Sequence, residues 1–420
     1  MRHHRIALIT AAALVAAPFA PVPAHATDAL PARAVRPADV PAPAVVKRIN
    51  TDMDGDGVRD QVNLTYLGSD NFELAVTTTR GRTSKVAFTS HVDQSFVPAA
   101  ATFYGADAID GRKGSELIVH RYAADITPSG QNLTVAVYTW RSGELVAEAA
   151  PAARTGTGWE VGVTEGGETA SGYGFFTSHG RRYVDTSRLT MTGGRWRYEG
   201  SVTRSVWRGG RWVEISTRSA RATSLTWKQV GMAGPKLLRG QVKVDVSGDG
   251  RADLVLFHQL GLQHYRATVH AHGRSASADV TNGEFPFVGA AAVDGVAGNE
   301  LIANTAGRTP WTVLTWRHSG KLVKLRAPAL FGEAGSSRTW HRAAVGAFTN
   351  FTASTEAGRH VVVTAWGVST ADPGVQPVHF AKSVWQQGHW TKLTEWTAEL
   401  TGEQRAVLTD GITVPDLVTP

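Results

Sequence analysis

The chain has 420 residues, no cysteine, and 43 Lys and Arg against 36 Asp and Glu, a formal net charge of +7. Without cysteine there is no disulfide, no thiol catalysis and no lipid-attachment cysteine, so stability must come from a large core or from bound metal. The positive charge is spread rather than gathered into a basic block, and no nucleic-acid partner is expected from it.

Residues 1–26 read as a signal peptide. Arg2 and Arg5 give the positive start, Ile6 to Phe19 is an apolar stretch rich in Ala, Val and Leu, and Ala24-His25-Ala26 is a small-x-small cleavage site. That stretch is too short for a membrane span, and no later segment approaches about eighteen apolar residues. The expectation is a secreted, extracellular protein with no membrane span. Residues 27–44 are Ala/Pro-rich and read as an extended leader.

An acidic, glycine-punctuated loop follows: Asp52-Met53-Asp54-Gly55-Asp56-Gly57-Val58-Arg59-Asp60. A second copy reads Asp245-Val246-Ser247-Gly248-Asp249-Gly250-Arg251-Ala252-Asp253. Oxygen side chains stand at loop positions 1, 3, 5 and 9: Asp52, Asp54, Asp56 and Asp60, then Asp245, Ser247, Asp249 and Asp253. Position 7, Val58 or Arg251, would offer a main-chain carbonyl. This spacing lets one loop wrap a hard cation that takes about six to eight oxygens, and calcium is the expected cofactor. Gly57 and Gly250 permit the positive φ of a tight curl. The loops are not EF-hands, because position 12 is Asn63 or Leu256 rather than Glu, and strand-like runs follow. The affinity expected is weak, roughly 10⁻⁴ to 10⁻³ M. The competing reading is a plain Asp/Gly turn without metal.

The duplication extends beyond these loops. Phe103 to Ile118 aligns with Phe287 to Ile302 at ten identical positions of sixteen. Thr139-Trp140-Arg141 answers Thr315-Trp316-Arg317, and Ser205-Val206-Trp207 answers Ser383-Val384-Trp385. One unit of roughly 180 residues is present twice, as a first repeat half over 45–232 and a second over 236–400, with a C-terminal tail at 401–420. Each half divides into three segments of short strands. Ser142-Gly143, Gly193-Gly194, Gly209-Gly210 and Gln387-Gly388 read as hairpin turns. Helical periodicity is nearly absent. The expected fold is all-β, a β-propeller of about six or seven blades built from the duplication. The competing architecture is two consecutive β-sandwich domains joined near Ala233-Gly234-Pro235.

The Asp-x-Asp-Gly-Asp-Gly-x-x-Asp loops, each followed by an apolar strand, resemble FG-GAP repeats, also called VCBS repeats. Those repeats build the calcium-binding propeller blades of integrin α chains and of many secreted bacterial proteins. The resemblance implies that the loop carboxylates named above are calcium ligands. Phe103–Ile118 and Phe287–Ile302 look like degenerate copies, with Asp110 and Asp294 at position 3 and Glu116 and Glu300 at position 9. Position 1 has become Ala108 or Ala292, and Arg112 stands at position 5 of the first, so these copies read as structural turns. The resemblance fixes no activity, since such blades serve adhesion, carbohydrate binding and enzyme scaffolds.

No catalytic constellation is recognisable. His270-Ala271-His272 would put two imidazoles on one strand face, and Tyr173 with Phe175-Phe176 would overhang a pocket, each with a bland strand reading beside it. The chain holds 13 Trp. Trp207 with Trp212, and Trp385 with Trp390, repeat on hairpins, either as blade packing or as platforms for stacking sugar rings. The function expected is a calcium-binding extracellular binding or structural module. The alternatives are a lectin-like carbohydrate-binding propeller, or a hydrolase or lyase on an extracellular polymer. The partner expected is an unidentified extracellular protein or polysaccharide.

Overall fold

The computed structural model describes residues 43–420, apart from 92–97, 122–132, 152–157, 165–167, 193–196, 282–285, 304–310, 318, 331, 333–339, 341–346, 357, 369–373, 407, 409–410, 415–416 and 420. The stretch expected to be a signal peptide, nearly all of the expected leader and the expected Gly193-Gly194 turn lie outside the described residues. No described helix is long and apolar enough to cross a membrane.

The chain is all-β. In Asn71–Thr77 the buried Phe72, Leu74 and Val76 alternate with Asn71, Glu73 and Ala75, the period-2 pattern of a strand with one face in a core. Four antiparallel strands, Ala44–Thr51, Asp60–Gly68, Asn71–Thr77 and Thr83–Thr89, form the first meander. Five more follow. The second runs through Phe103–Asp107, Glu116–Arg121, Leu133–Arg141 and Glu144–Glu148. The third is Thr169–Ser178, Arg181–Met191, Tyr198–Arg208 and Arg211–Ala222. The second half repeats the series, with its fourth meander in Leu237–Val244, Asp253–Gly261, His264–Ala271 and Arg274–Thr281. The fifth is Phe287–Ala291, Glu300–Ala303, Thr312–Arg317 and Lys321–Lys324. The sixth is Ala347–Glu356, Arg359–Val368, Gln376–Gln386 and His389–Leu400.

The turns carry their own sequence logic. Ser142-Gly143, Gly209-Gly210 and Gln387-Gly388 close two-residue hairpins with positive φ at both positions. That conformation matches the right-handed twist of the strands it joins. Two short helices, Trp227–Val230 and Gly402–Ala406, are absent from the sequence-based expectation. A four- or five-residue helix is too short to leave a periodicity.

Successive meanders bury apolar faces against one another. One core joins Phe72 and Leu74 of the first to Phe103, Leu117 and Tyr138 of the second. Another joins Val135 and Val137 of the second to Tyr173, Phe175 and Val184 of the third. The fourth and fifth share a core, as do the fifth and sixth. Among the described residues, no strand pairing or hydrophobic cluster joins the sixth meander to the first, so no closed ring is seen.

The two halves are not independent sandwiches. Residues 41–420 cluster as one unit, and Leu238 pairs with Ala106 while entering the core of the first half. The region 401–420 is likewise built into the second half. Gly411–Thr413 pairs in parallel with Ala347–Glu356, and Val418 bridges to Ala290. Met232–Ala233 and Leu238 occupy the matching places in the first half.

Candidate metal loops and ligand faces

All four loops are closed by the carboxylate at position 9. In the first, Asp60 Oδ2 accepts the N–H groups of Met53 (2.8 Å) and Asp54 (3.3 Å). Glu116 Oε2 accepts those of Ile109 and Asp110, Asp253 Oδ2 those of Val246 and Ser247, and Glu300 Oε2 those of Val293 and Asp294. This bond set recurs in loops with and without the other carboxylates. Position 9 therefore has a structural task that no cation is needed to explain.

The acidic and degenerate loops also lock together. Gly55 has φ +79°, and a Cβ there would lie 2.7 Å from Lys113 Cβ. A Cβ on Gly114 would lie 2.5 Å from the Met53 carbonyl oxygen. Ser115 N–H donates to the Asp52 carbonyl at 2.6 Å. Gly248 and Gly298 repeat this contact in the second half. The glycine at position 4 thus lets neighbouring meanders touch backbone to backbone, whereas Gly57 and Gly250 have open space around them.

In the first acidic loop, Asp52, Asp54 and Asp60 bring carboxylate oxygens within 4.8 Å of one another. Asp52 also takes the N–H groups of Gly55 and Gly57. None of the three has an ion-pair partner among the described residues, while Asp56 turns toward Arg80 at 3.4 Å. Val58 is exposed, its N–H taken by Asp56. The second loop gathers no group of three carboxylates among the described residues. Asp245 holds the N–H groups of Gly248 and Gly250, Asp249 accepts from Arg251 and lies 3.5 Å from His272, and Ser247 Oγ is buried without a hydrogen-bond partner. Hard oxygens with lone pairs to spare, with one left unpaired, are a donor set that fits a hard cation.

The degenerate loop of the first half is met by cations from other strands. Arg141 pairs with Asp110 and lies 3.7 Å from Glu116, and Arg182 donates to the carbonyls of Ile109 and Ala108. A third carboxylate, Glu148, joins Asp110 and Glu116 within 4.8 Å, all three buried. Glu148 Oε1 accepts the Trp212 indole N–H, and its Oε2 has no hydrogen-bond partner. Burial, then the nearby Asp110 charge, pushes the Glu116 carboxyl up to about 7. Burial, then Glu116 and Asp110, pushes Glu148 up to about 8. All three are enclosed, and Glu148 ties the second meander to the third through Trp212. Glu148 is far along the chain from the loop, and no spacing rule points to it.

Of the Trp residues expected to stack sugars, Trp390 is corrected by the structure. It is 2% exposed, and its indole N–H donates to the Arg326 carbonyl at 2.6 Å, so neither ring face is free. Trp385 meets it edge-on at 5.2 Å. In the first half, Trp207 meets Trp212 edge-on at 5.1 Å, and Trp212 is tied to Glu148. Trp207, Trp212 and Trp385 are half-buried. Two aromatics missed by the hairpin pattern are more open. Trp366 is 43% exposed and stacks on His379 at 5.3 Å, and Trp396 is 39% exposed and stacks on Phe380 at 5.0 Å. His270 and His272 do not share a strand face: the strand ends at Ala271, and His272 sits in the turn with φ 51°. Tyr173 and Phe175 are core residues of Thr169–Ser178 rather than a loop over a pocket.

No family model matches the chain, and no curated protein resembles it at a significant level. Among solved structures, a mutant of the Aleuria aurantia lectin in complex with alpha-methyl-L-fucoside is similar over 83% of this chain and 94% of that chain, at 10% identity and a TM-score of 0.21. A likeness that loose carries no argument about fold or ligand.

Proposed function

We propose that this chain is an extracellular binding module whose two acidic loops hold calcium as braces, in the manner of the FG-GAP/VCBS repeats it resembles. The observation that carries this reading is the convergence of Asp52, Asp54 and Asp60 with no protein cation on any of them. Clustered carboxylates repel one another unless a cation neutralises them. Asp52, Asp54, Asp56 and Asp60 with the Val58 carbonyl would hold one ion, and Asp245, Ser247, Asp249 and Asp253 with the Arg251 carbonyl the other. Each ion would tie a loop to the degenerate loop locked behind it. Thermal unfolding of residues 27–420 tests this. Calcium at about a hundredfold excess over Kd is expected to add roughly 2–3 kcal/mol per site. That gain should shrink in Asp54→Ala and Asp249→Ala. Asp60→Ala is the contrasting control, because it also breaks three backbone bonds that exist without metal. A midpoint indifferent to calcium and chelator would make both loops plain turns.

A polysaccharide partner is favoured by Trp366, whose large exposed ring on His379 is suited to stacking a sugar. Retention on at least one of immobilised cellulose, mannan and starch is expected, with loss on Trp366→Ala. No retention on any of them would sink this reading. The six meanders further suit six propeller blades, and small-angle scattering would distinguish a ring from a stack.

A further inference from the structure

The third meander presents a hollow that neither the calcium loops nor the exposed Trp366 uses. Its floor is the sheet itself: Gly174, Asp185, Ser187, Val202 and Arg204. One wall is the segment carrying the Trp227–Val230 helix, which lies almost on the sheet because Gly172 has no side chain. A Cβ there would come within 2.5 Å of Val230 N. Two adjoining cavities of about 350 and 280 Å³ share Asp185 and Lys228. That size accepts a small ligand or a short stretch of a polymer.

Four cations surround this space: Arg204, Arg218, Arg221 and Lys228. Arg204 is committed to Asp185 through two bonds of 2.7 and 2.9 Å, and Arg221 pairs with Glu199 at 3.0 Å. Arg218 and Lys228 make no hydrogen bond or ion pair with any described residue, and both are exposed. The fold does not need the charge of Arg218. The strand pairing that sets Ser187 against Val202 and Arg218 sets Ala365 against Phe380 and Trp396 in the second half. Val363 there takes the place of Asp185. The same strand pairing thus forms with apolar side chains in place of Asp185, Ser187 and Arg218, while the Arg204 position keeps a cation, Lys382.

We infer that this hollow binds an acidic saccharide through Arg218 and Lys228. The planar guanidinium of Arg218 suits a sugar carboxylate bidentately, and the Lys228 ammonium adds a point charge. Asp185, Ser187 and Gln229 supply partners for ring hydroxyls. A single-stranded nucleic acid fits less well, since it relies on open aromatic faces. Among the described residues two aromatics line the hollow: Phe175 is buried, and the Arg204 guanidinium lies 4.9 Å over the Phe176 ring, so neither offers an open face. Recognition here is ionic, whereas Trp366 offers stacking on a different meander, so either reading can fail without the other.

The test is binding of oligogalacturonate to residues 27–420 by calorimetry, with neutral cello-oligosaccharide and single-stranded DNA as comparisons. Oligogalacturonate is expected to bind more weakly as salt rises. The double variant Arg218→Ala with Lys228→Ala should lose about tenfold or more in affinity, as expected for removing charge-assisted contacts. Its unfolding midpoint should not change, and Trp366→Ala should leave oligogalacturonate binding intact. No binding, or equal binding by the double variant, overturns the assignment. DNA bound more tightly than oligogalacturonate, and lost in the same double variant, overturns the saccharide in favour of a nucleic acid.

Discussion

Trp390→Ala is expected to cost about 3–5 kcal/mol of folding stability, the range for deleting a large aromatic from a packed core. Trp390 lies edge-on to Trp340 at 6.3 Å and to Trp385 at 5.2 Å, and its N–H holds the Arg326 carbonyl. Removing it opens a cavity between the fifth and sixth meanders and orphans that carbonyl. Trp385→Ala should cost less, because Trp385 is only half-buried. Denaturant midpoints of both variants measure the difference. A loss under about 0.5 kcal/mol at Trp390, the ordinary size for surface changes, would return that ring to the candidates for sugar stacking.

Glu148→Gln is expected to flatten the dependence of stability on pH. The Glu148 carboxyl is raised from 4.5 to about 8 by burial and by the Glu116 and Asp110 charges. A carboxyl with a folded value above its unfolded one binds more protons in the fold. Its contribution is therefore complete at low pH and is lost as pH rises from about 4.5 through about 8. Glutamine keeps the acceptor for the Trp212 N–H and removes the ionisation. The variant should match the parent near pH 5 and exceed it by on the order of 2 kcal/mol near pH 9. Unfolding midpoints across that range check this. Identical profiles for the two proteins would mean that Glu148 does not titrate in the fold, and would shift attention to Glu116, which is raised to about 7.

The sequence by itself determined the strands, the turns and the duplication. Each is a local property: alternation in Asn71–Thr77 decides one strand, and positive φ at Ser142-Gly143 decides one hairpin. The acidic loops were legible for the same reason, since Asp52, Asp54 and Asp60 are brought together by a single tight curl.

What only the tertiary structure decided involves partners far apart in the chain. Spacing cannot show that Gly55 stands against Lys113, or that Glu148 completes a carboxylate group with Asp110 and Glu116. Composition marked the Trp hairpins without saying which rings are covered, because burial depends on the neighbouring meander: Trp390 is closed off by Trp340, while Trp366 is left open. The basic hollow was equally invisible, since Asp185, Arg204, Arg218 and Lys228 meet only when three strands and a short helix fold over one sheet face. Local patterning selects elements, and packing between elements decides which side chains meet and which remain free for a ligand.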